Sequence, residues 1–378
     1  MNIRNAQRGD IQAVQKIWEN TFHYSRAFMD WYFRNMFDAS NTILADQGGE
    51  SFAAVSLMPQ KIMLAGETVA AGYIGGFAAL PEYRSNEIMW DMACAMAGDI
   101  SRRDLAVSIV VPFNYKFFER LGWRTAYQYK QYKIAPEDIP EYQIHGTFQR
   151  NPAEVSGLAQ VYETFMGGRN GYFLRNSRAW KLILEDLTQN FGGQYVLLLD
   201  KQHIPAGYIL YIIHDGVMGV YEMAYTNRQA YESLLGYIRR HQMQIKTVSM
   251  KMPDNDLTHL DFCDNRMAVT LCPFAMARVH KVSTVLGLLA KQYGGSVRLQ
   301  IIDRLVDENN RTFAVCEGTF AETEDGPDVV TDIGTFTQLA LGYLSTEEAA
   351  RMNLLSGKIE LLDGLFKKES NYLNMLCY

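Results

Sequence analysis

The stretch that decides the fold runs from residue 75 to residue 89 and reads GGFAALPEYRSNEIM. Its first half, Gly75 to Leu80, is small and apolar and stops at Pro81, which is typical of a buried strand that a proline ends. From Ile88 onward the apolar residues recur at helical spacing. A tight turn that launches a helix points the free N–H groups of the first helical turn at an anion. The stretch therefore predicts a strand, a turn and a helix, with an anion site where the helix begins.

The alternation of strand and helix patterns continues on both sides of this stretch. Before it lie a strand near residue 3, a helix from Ile11 and an aromatic helix from Ser25 to Phe37, followed by a strand pair over residues 52–64 and 67–79. The order predicts an α/β (α+β) fold with mixed sheets flanked by helices. The pattern recurs more weakly after residue 150, and a third unit begins near residue 275. We predict three domains over residues 1–145, 146–275 and 276–378, with the polar run Ala135 to Tyr142 as the first linker.

Composition and charge exclude several classes of protein. With 36 Lys and Arg against 42 Asp and Glu, the net charge of −6 argues against nucleic acid and fits a cationic ligand better. No apolar run reaches the ~20 residues of a membrane span, and no signal peptide is evident at residues 1–10, so we expect no membrane partner and a cytoplasmic location. The five cysteines form no CxxC pair and the histidines show no ligand spacing, so the sequence predicts no metal site.

The turn after Leu80 resembles the acyl-coenzyme A pyrophosphate turn of the GNAT acetyltransferases, whose pattern is Arg or Gln, two residues, Gly, one residue, then Gly or Ala. Arg84 fits this pattern, whereas Glu87 and Met89 replace the two small residues. Glycine allows the backbone to approach a diphosphate closely, and a carboxylate there adds like-charge repulsion. In the other interpretation, the acidic residue merely stabilises the start of a helix. The resemblance implies that acetyl-CoA is held by Phe77, Ala78, Ala79, Arg84, Ser85, Asn86, Glu87 and Ile88, the first three through their main chain.

A second motif follows in the expected order. The run PFNYKFFERLGW, residues 112–123, resembles the later GNAT segment in which a short helix closes the domain. By this resemblance Asn114 also belongs to the cofactor site. The tyrosine that protonates the leaving thiolate in the family falls on Phe118, which has no proton to give. Tyr115 is the nearest hydroxyl and our candidate for that role, the alternative being an ordinary, partly buried tyrosine.

Over essentially its whole length the chain resembles the Eis (enhanced intracellular survival) acetyltransferases. The segments that carry this resemblance beyond the first unit are residues 207–211, 220–225, 274–279 and 332–343. It implies two GNAT-like regions, of which only the first binds acetyl-CoA, followed by a sterol-carrier-protein-like domain. It also implies a homo-oligomer, a hexamer built as a trimer of dimers. The family's general base is the carboxylate of the C-terminal residue, which assigns that role to Tyr378.

Two functions remain open at this point. The first is an N-acetyltransferase that moves an acetyl group from acetyl-CoA to a primary amine of a cationic small molecule or of a lysine side chain. The second is an Eis-like protein that has lost catalysis and binds an amphipathic cation as a binding or scaffold module. Glu87, Met89 and Phe118 favour the second, and the two motifs in the family's order favour the first.

Overall fold

The computed structural model describes residues 1–262 and 267–373, without the side chain of Asn86. The first unit is an α/β layer in which the predicted strands and helices all form. One strand was missed, β2 (Thr42–Gln47), whose six residues follow a 3-10 turn. The elements of the first unit are β1 (Asn2–Asn5), α1 (Ile11–Thr21), α2 (Arg26–Asn35), β2 (Thr42–Gln47), β3 (Glu50–Leu64), β4 (Glu67–Ala79), α3 (Asn86–Arg102), β5 (Val107–Val110), α4 (Tyr115–Arg120) and β6 (Arg124–Ile134).

The second unit repeats this order of elements, except that its described residues hold no α-helix equivalent to α4 between its last two strands. The sequence patterns missed three of its strands: β7 (Thr147–Arg150), β11 (Thr247–Pro253) and β12 (Ala268–Val279). β7 is short and mostly exposed, and the N-terminal half of β12 carries no buried apolar face. The elements are β7 (Thr147–Arg150), α5 (Ser156–Met166), α6 (Ser177–Glu185), β8 (Gln194–Leu199), β9 (Pro205–His214), β10 (Val217–Tyr225), α7 (Arg228–Arg239), β11 (Thr247–Pro253) and β12 (Ala268–Val279).

The two units share one continuous sheet of twelve strands. The strand order is β1-β2-β3-β4-β5-β12-β6-β11-β10-β9-β8-β7, so each unit places its last strand beside the other unit's fifth strand. Among the described strands of this sheet, only β4 with β5 and β10 with β11 run parallel, and the other pairs are antiparallel. Adding six to a strand number of the first unit gives its counterpart in the second, which is the pattern of an internal pseudo-twofold repeat.

The third unit packs a smaller sheet against helices. Its five strands are ordered β15-β14-β13-β16-β17, and only β13 and β16 run parallel. The elements are α8 (Val282–Ala290), β13 (Ser296–Ile302), β14 (Thr312–Cys316), β15 (Thr319–Thr323), β16 (Val329–Asp332), α9 (Ile333–Ala340), α10 (Thr346–Arg351) and β17 (Leu355–Gly357). The predicted α/β (α+β) class with mixed sheets is thereby confirmed. None of the described helices is long and apolar enough to cross a membrane.

The hairpin of β3 and β4 joins the decisive stretch to the large sheet, where residues 75–79 pair with β3 alone. Ala65 and Gly66 form its turn with φ angles of 50° and 80°, which match the two-residue turn that suits twisted antiparallel strands. β4 lies between β3 and β5 as far as Ile74 and leads through a turn into α3. The face of α3 that carries Met92, Ala93, Met96 and Ile100 is fully buried, which fixes the helix on the sheet.

Candidate active site

The site begins where two parallel strands part. β4 pairs with β5 over four residues, from Ala71 opposite Val107 to Ile74 opposite Val110, whereas β4 itself continues to Ala79. The end of β4 therefore extends past its neighbour on that side. A strand end of this kind offers main-chain N–H and C=O groups to an extended ligand.

A bulge in β4 marks the same position. Two residues, Gly76 and Phe77, stand opposite the single residue Val55 of β3. Gly76 has a φ of +59°, and a Cβ atom there would lie 2.3 Å from Cζ2 of the buried Trp18. Both the backbone conformation and the packing thus require glycine. The bulge redirects the main chain of residues 77–79 next to the opening between β4 and β5.

A cavity of about 690 Å³, the β4 cavity, lies at this opening. The strand contributes Phe77, Ala78 and Ala79, three of the predicted main-chain contacts. Its remaining lining comes from the end of α1, from the turn before α3 and from α4: Thr21, Phe22, Arg84, Ser85, Met89, Phe113, Asn114, Lys116, Phe117 and Arg120. Six of the predicted cofactor residues thus line one cavity, whereas Glu87 and Ile88 do not.

The turn before α3 is held by side-chain hydrogen bonds. Ser85 caps the helix, its Oγ accepting the N–H of Ile88 at 3.2 Å. Nε of Arg84 donates to the carbonyl oxygen of Ala79 at 2.9 Å, which ties the turn to the end of β4. Arg84 remains exposed, so its terminal nitrogens are accessible from the cavity. Of the two departures from the family pattern, Met89 faces the cavity, whereas Glu87 is exposed outside the lining.

The short helix α4 supplies the opposite wall. Oδ1 of Asn114 accepts the N–H of Phe117 at 3.2 Å, so this residue acts as a helix cap at the cavity edge. Lys116 and Arg120 line the cavity as well, and neither has an ion-pair partner among residues 1–262 and 267–373. Sequence reasoning missed both. Their spacing of four residues places them on one face of a helix and could have identified them.

Phe118 and Tyr115 lie in different surroundings. Phe118, at the position of the family's proton donor, is fully buried and packs edge-on against Phe77 and Trp123. Tyr115 is half-buried and its hydroxyl donates to the carbonyl oxygen of Phe274 at 3.4 Å. Burial raises the pKa of Tyr115 above its ordinary value, so the phenol is protonated at neutral pH. Its side chain does not line the β4 cavity.

Tyr378 lies outside the described residues, but the segment leading to it is fixed. Oγ of Ser370 donates to Oδ1 of Asp254 at 2.8 Å, and Nδ2 of Asn371 donates to the carbonyl oxygen of Ala126 at 3.0 Å. Tyr372 and Leu373 are buried. Up to residue 373 the chain is therefore held in the interior between the three units.

The second unit has a cavity at the equivalent place, the β10 cavity, of about 460 Å³. Its turn between strand and helix is only Thr226 and Asn227, against six residues after β4. Arg228, the first residue of α7, binds Asp261 through two hydrogen bonds of 2.8 and 2.9 Å. The hydroxyl of Tyr231 donates to the same carboxylate at 2.7 Å. The carboxylate of Asp261 thus neutralises the positive charge of Arg228 at the start of α7.

Models of known protein families match three stretches of the chain. Models described as "Acetyltransferase (GNAT) domain" match residues 2–126 and again residues 171–279, and a "Sterol carrier protein domain" matches residues 284–374. The chain carries two GNAT acetyltransferase domains and a sterol carrier protein domain. It is therefore an acyltransferase of the GNAT type, and GNAT domains depend on an acyl-CoA. The GNAT fold also implies that the acyl group is transferred to a small molecule or an amine.

Solved structures share the whole architecture. A conserved protein from Enterococcus faecalis V583, described as "Probable N-Acyltransferase", superposes with a TM-score of 0.88 at 21% identity, covering 99% of this chain and 98% of that one. Eis1 from Mycobacterium abscessus superposes with a TM-score of 0.82 at 18% identity, covering 99% and 100%. The predicted Eis-like arrangement of two GNAT domains and a sterol carrier domain is confirmed. No curated protein matches the chain.

Proposed function

We propose that the first GNAT domain transfers an acetyl group from acetyl-CoA to a primary amine of a cationic small molecule or of a lysine side chain. The observation that carries the proposal is the β4 cavity. There the bulged end of a strand, a capped helix start and three cations, Arg84, Lys116 and Arg120, face one space of about 690 Å³. A cofactor with a diphosphate and an amide-bearing arm needs this combination of positive charge and open main chain.

The residues of the cavity fit the cofactor group by group. Arg84, Lys116 and Arg120 supply the positive charge for the phosphates, and the N–H groups at the start of α3 complement the same charge. The main chain of Phe77, Ala78 and Ala79 would accept and donate hydrogen bonds along the pantetheine arm. The predicted contacts of Asn86, Glu87 and Ile88 would be made through the main chain, because neither Glu87 nor Ile88 lines the cavity.

Acyl transfer to an amine then needs orientation more than reactive side chains. Acetyl-CoA supplies the activated acetyl group as a thioester. A main-chain N–H of residues 77–79 would stabilise negative charge on the thioester oxygen. The Tyr378 carboxylate would remove the amine proton, and Tyr115 or solvent would protonate the thiolate. With Phe118 in place of the family's acid, we expect a slow enzyme, since a positioned acid contributes ~10² to 10⁴-fold.

The acceptor, the assembly and the location remain parts of this proposal. The net charge of −6 supports a cationic acceptor, although it does not identify one. A homo-oligomer, a hexamer by the Eis resemblance, and a cytoplasmic location remain predictions for size measurement and fractionation.

A titration with acetyl-CoA tests the proposal. At 100 times its Kd the cofactor should stabilise the protein by ~2.7 kcal/mol in a thermal-shift series, and a polyamine should release thiol from it. Absence of any shift at millimolar acetyl-CoA would refute the cofactor site. A shift without acetylation of any polyamine or lysine peptide would favour the alternative function, a binding module that lacks catalysis.

A further inference from the structure

A second cavity adjoins the β4 cavity along α4. It has a volume of about 390 Å³ and lies between α3, the end of α4 and the sterol carrier domain, and we call it the interdomain cavity. Arg120 lines both cavities. Since α4 has only six residues, the two spaces are close neighbours on one short helix. None of the predicted site residues that the structure describes lines the second one.

The interdomain cavity combines an exposed aromatic ring with unpaired positive charge. Trp90 of α3 is 41% exposed although it is a large apolar side chain. Arg304, in the loop after β13, has no ion-pair partner in the described parts of the chain, residues 1–262 and 267–373. Arg124 contributes a third cation, whose Nη1 donates to the carbonyl oxygens of Glu119 and Trp123.

The carboxylates of the cavity are mostly engaged elsewhere. Oδ1 of Asp303 accepts a hydrogen bond from Nη2 of the buried Arg278 at 2.5 Å. Asp332 caps α9 and accepts both the N–H and the hydroxyl of Thr335. Glu119 is exposed, and within the described residues its carboxylate accepts no hydrogen bond. Three arginines therefore stand against two carboxylates that have no cationic partner in the described residues, Glu119 and Asp332, and the remaining positive charge favours an anion.

We propose that the interdomain cavity binds the nucleotide end of the acyl-CoA, with the adenine against Trp90 and the ribose phosphate on Arg304. The inference rests on the proposed function, because it places the far end of the same cofactor whose diphosphate lies at the α3 turn. Bases stack on exposed aromatic rings irrespective of sequence context, and a guanidinium is the group best shaped for a phosphate. Arg120, between the cavities, then contacts the cofactor between its two ends.

The sterol carrier domain therefore completes the cofactor site of the first GNAT domain. Its position relative to α4 is fixed by the fully buried ion pair of Arg278 and Asp303, and Nε of Arg278 also donates to the carbonyl oxygen of Leu121 at 2.9 Å. The N–H groups of Leu305 and Val306 donate to Oδ1 of Asp303, which holds the loop that carries Arg304. This network makes Arg304 part of a preformed surface.

The test compares three ligands: acetyl-CoA, acetyl-dephospho-CoA, which lacks the ribose phosphate, and S-acetyl-4′-phosphopantetheine, which lacks the nucleotide. Calorimetry on the full chain should show that the ribose phosphate tightens binding by roughly tenfold, the effect of one charge-assisted contact. Arg304→Gln should remove that preference and leave the affinity for acetyl-dephospho-CoA unchanged. Trp90→Ala should weaken both nucleotide ligands by roughly fivefold or more and spare the phosphopantetheine ligand. Arg351→Gln, an exposed arginine of α10 in the same domain, is the matched control.

The outcomes separate the inference from the proposed function. Equal affinity for acetyl-CoA and acetyl-dephospho-CoA, with no effect of Arg304→Gln, would overturn the inference and leave the acetyltransferase proposal intact. A ribose-phosphate preference that survives Arg304→Gln would overturn it too. Failure of all three ligands to bind would refute the proposed function, and the inference with it. Unchanged melting temperatures of the variants would show that folding is not the cause.

Discussion

The strand-to-helix turns of the two GNAT domains occupy equivalent places in one sheet and differ in what they offer a ligand. After β4 the chain takes six residues to reach α3, and the cavity there is lined by Arg84, Lys116 and Arg120. After β10 it takes two residues to reach α7, and Arg228 at the helix start is bound by Asp261. The second turn thus satisfies its own positive charge. The comparison shows that one carboxylate, Asp261, blocks the anion site at the turn after β10, although the surrounding fold is the same.

The strands before these turns differ in the same sense. Both β4 and β10 carry a bulge, at Gly76–Phe77 in the first and at Tyr221 in the second. The residue after the second bulge, Glu222, is buried and binds Arg175 through two hydrogen bonds of 2.7 Å, with Tyr208 as a further donor. Side chains fill the second domain where the first leaves its main chain accessible. We infer that only the first domain retains a cofactor site.

The largest effect is expected from Gly76→Val, which removes the feature that distinguishes the first bulge. The Cβ of the new residue would lie 2.3 Å from Cζ2 of Trp18, and the valine backbone would have to adopt a positive φ. We expect the free energy of unfolding to fall by roughly 3 kcal/mol and acetyl-CoA binding to become undetectable. Denaturant unfolding and calorimetry measure the two effects. Trp18→Leu in the same chain should restore part of the stability, whereas Tyr221→Ala in the second domain should leave cofactor affinity unchanged. Normal cofactor binding by Gly76→Val would contradict the assignment of the bulge.

A smaller but still large effect should come from the terminal carboxylate. If catalysis occurs only at the first domain, the Tyr378 carboxylate must lie at that site. Appending Gly-Ser after Tyr378 moves the terminal carboxylate and keeps the aromatic ring. We expect kcat/KM for a polyamine to fall roughly 10²-fold with little change in the Kd of acetyl-CoA. Thiol release measures the first and calorimetry the second. An unaltered kcat/KM would remove Tyr378 from the mechanism.

The basic lining gives the next prediction. Arg84→Gln together with Arg120→Gln should raise the Kd of acetyl-CoA by roughly 10²-fold, because each charge-assisted contact of these exposed side chains contributes about 1.5 kcal/mol. Arg228→Gln, at the equivalent turn of the second domain, should leave this Kd unchanged because Asp261 already neutralises that arginine. Calorimetry at two salt concentrations measures both, and the difference should shrink at high salt. Equal effects of the two changes would show that both domains bind the cofactor.

The smallest effect concerns Glu87. Its carboxylate is exposed at the start of α3 and outside the cavity lining, so solvent screens its repulsion of the diphosphate. Glu87→Gly should tighten acetyl-CoA binding no more than a few-fold, and it should act on KM rather than on kcat. Glu87→Gln isolates the charge from the added backbone freedom, and Glu82→Gln in the same turn is the control. Weaker binding in Glu87→Gln would show that the carboxylate supports the turn.

Some of the site could be predicted because the residues concerned are close in sequence. Arg84, Ser85 and residues 77–79 belong to one strand, turn and helix, and Asn114 follows from the next motif; all of them line the β4 cavity. Tyr115 remains a proposed acid. The sequence could not predict the surroundings of its hydroxyl, because Phe274, whose carbonyl oxygen it contacts, lies 159 positions away in the chain. Thr21 and Phe22 were missed for the same reason, since α1 reaches the cavity only through packing on the sheet.

The sequence by itself determined the strand, turn and helix around residues 75–89, the repeated α/β units and the third domain, because each depends on local periodicity and turn chemistry. Only the tertiary structure decided that β12 and β6 exchange places, joining both units in one sheet, because strand pairing across more than a hundred residues leaves no local signal. It also decided that Asp261 closes the second turn and that Arg304 faces α4. Long-range packing sets those contacts, since each side chain alone is compatible with an exposed surface position.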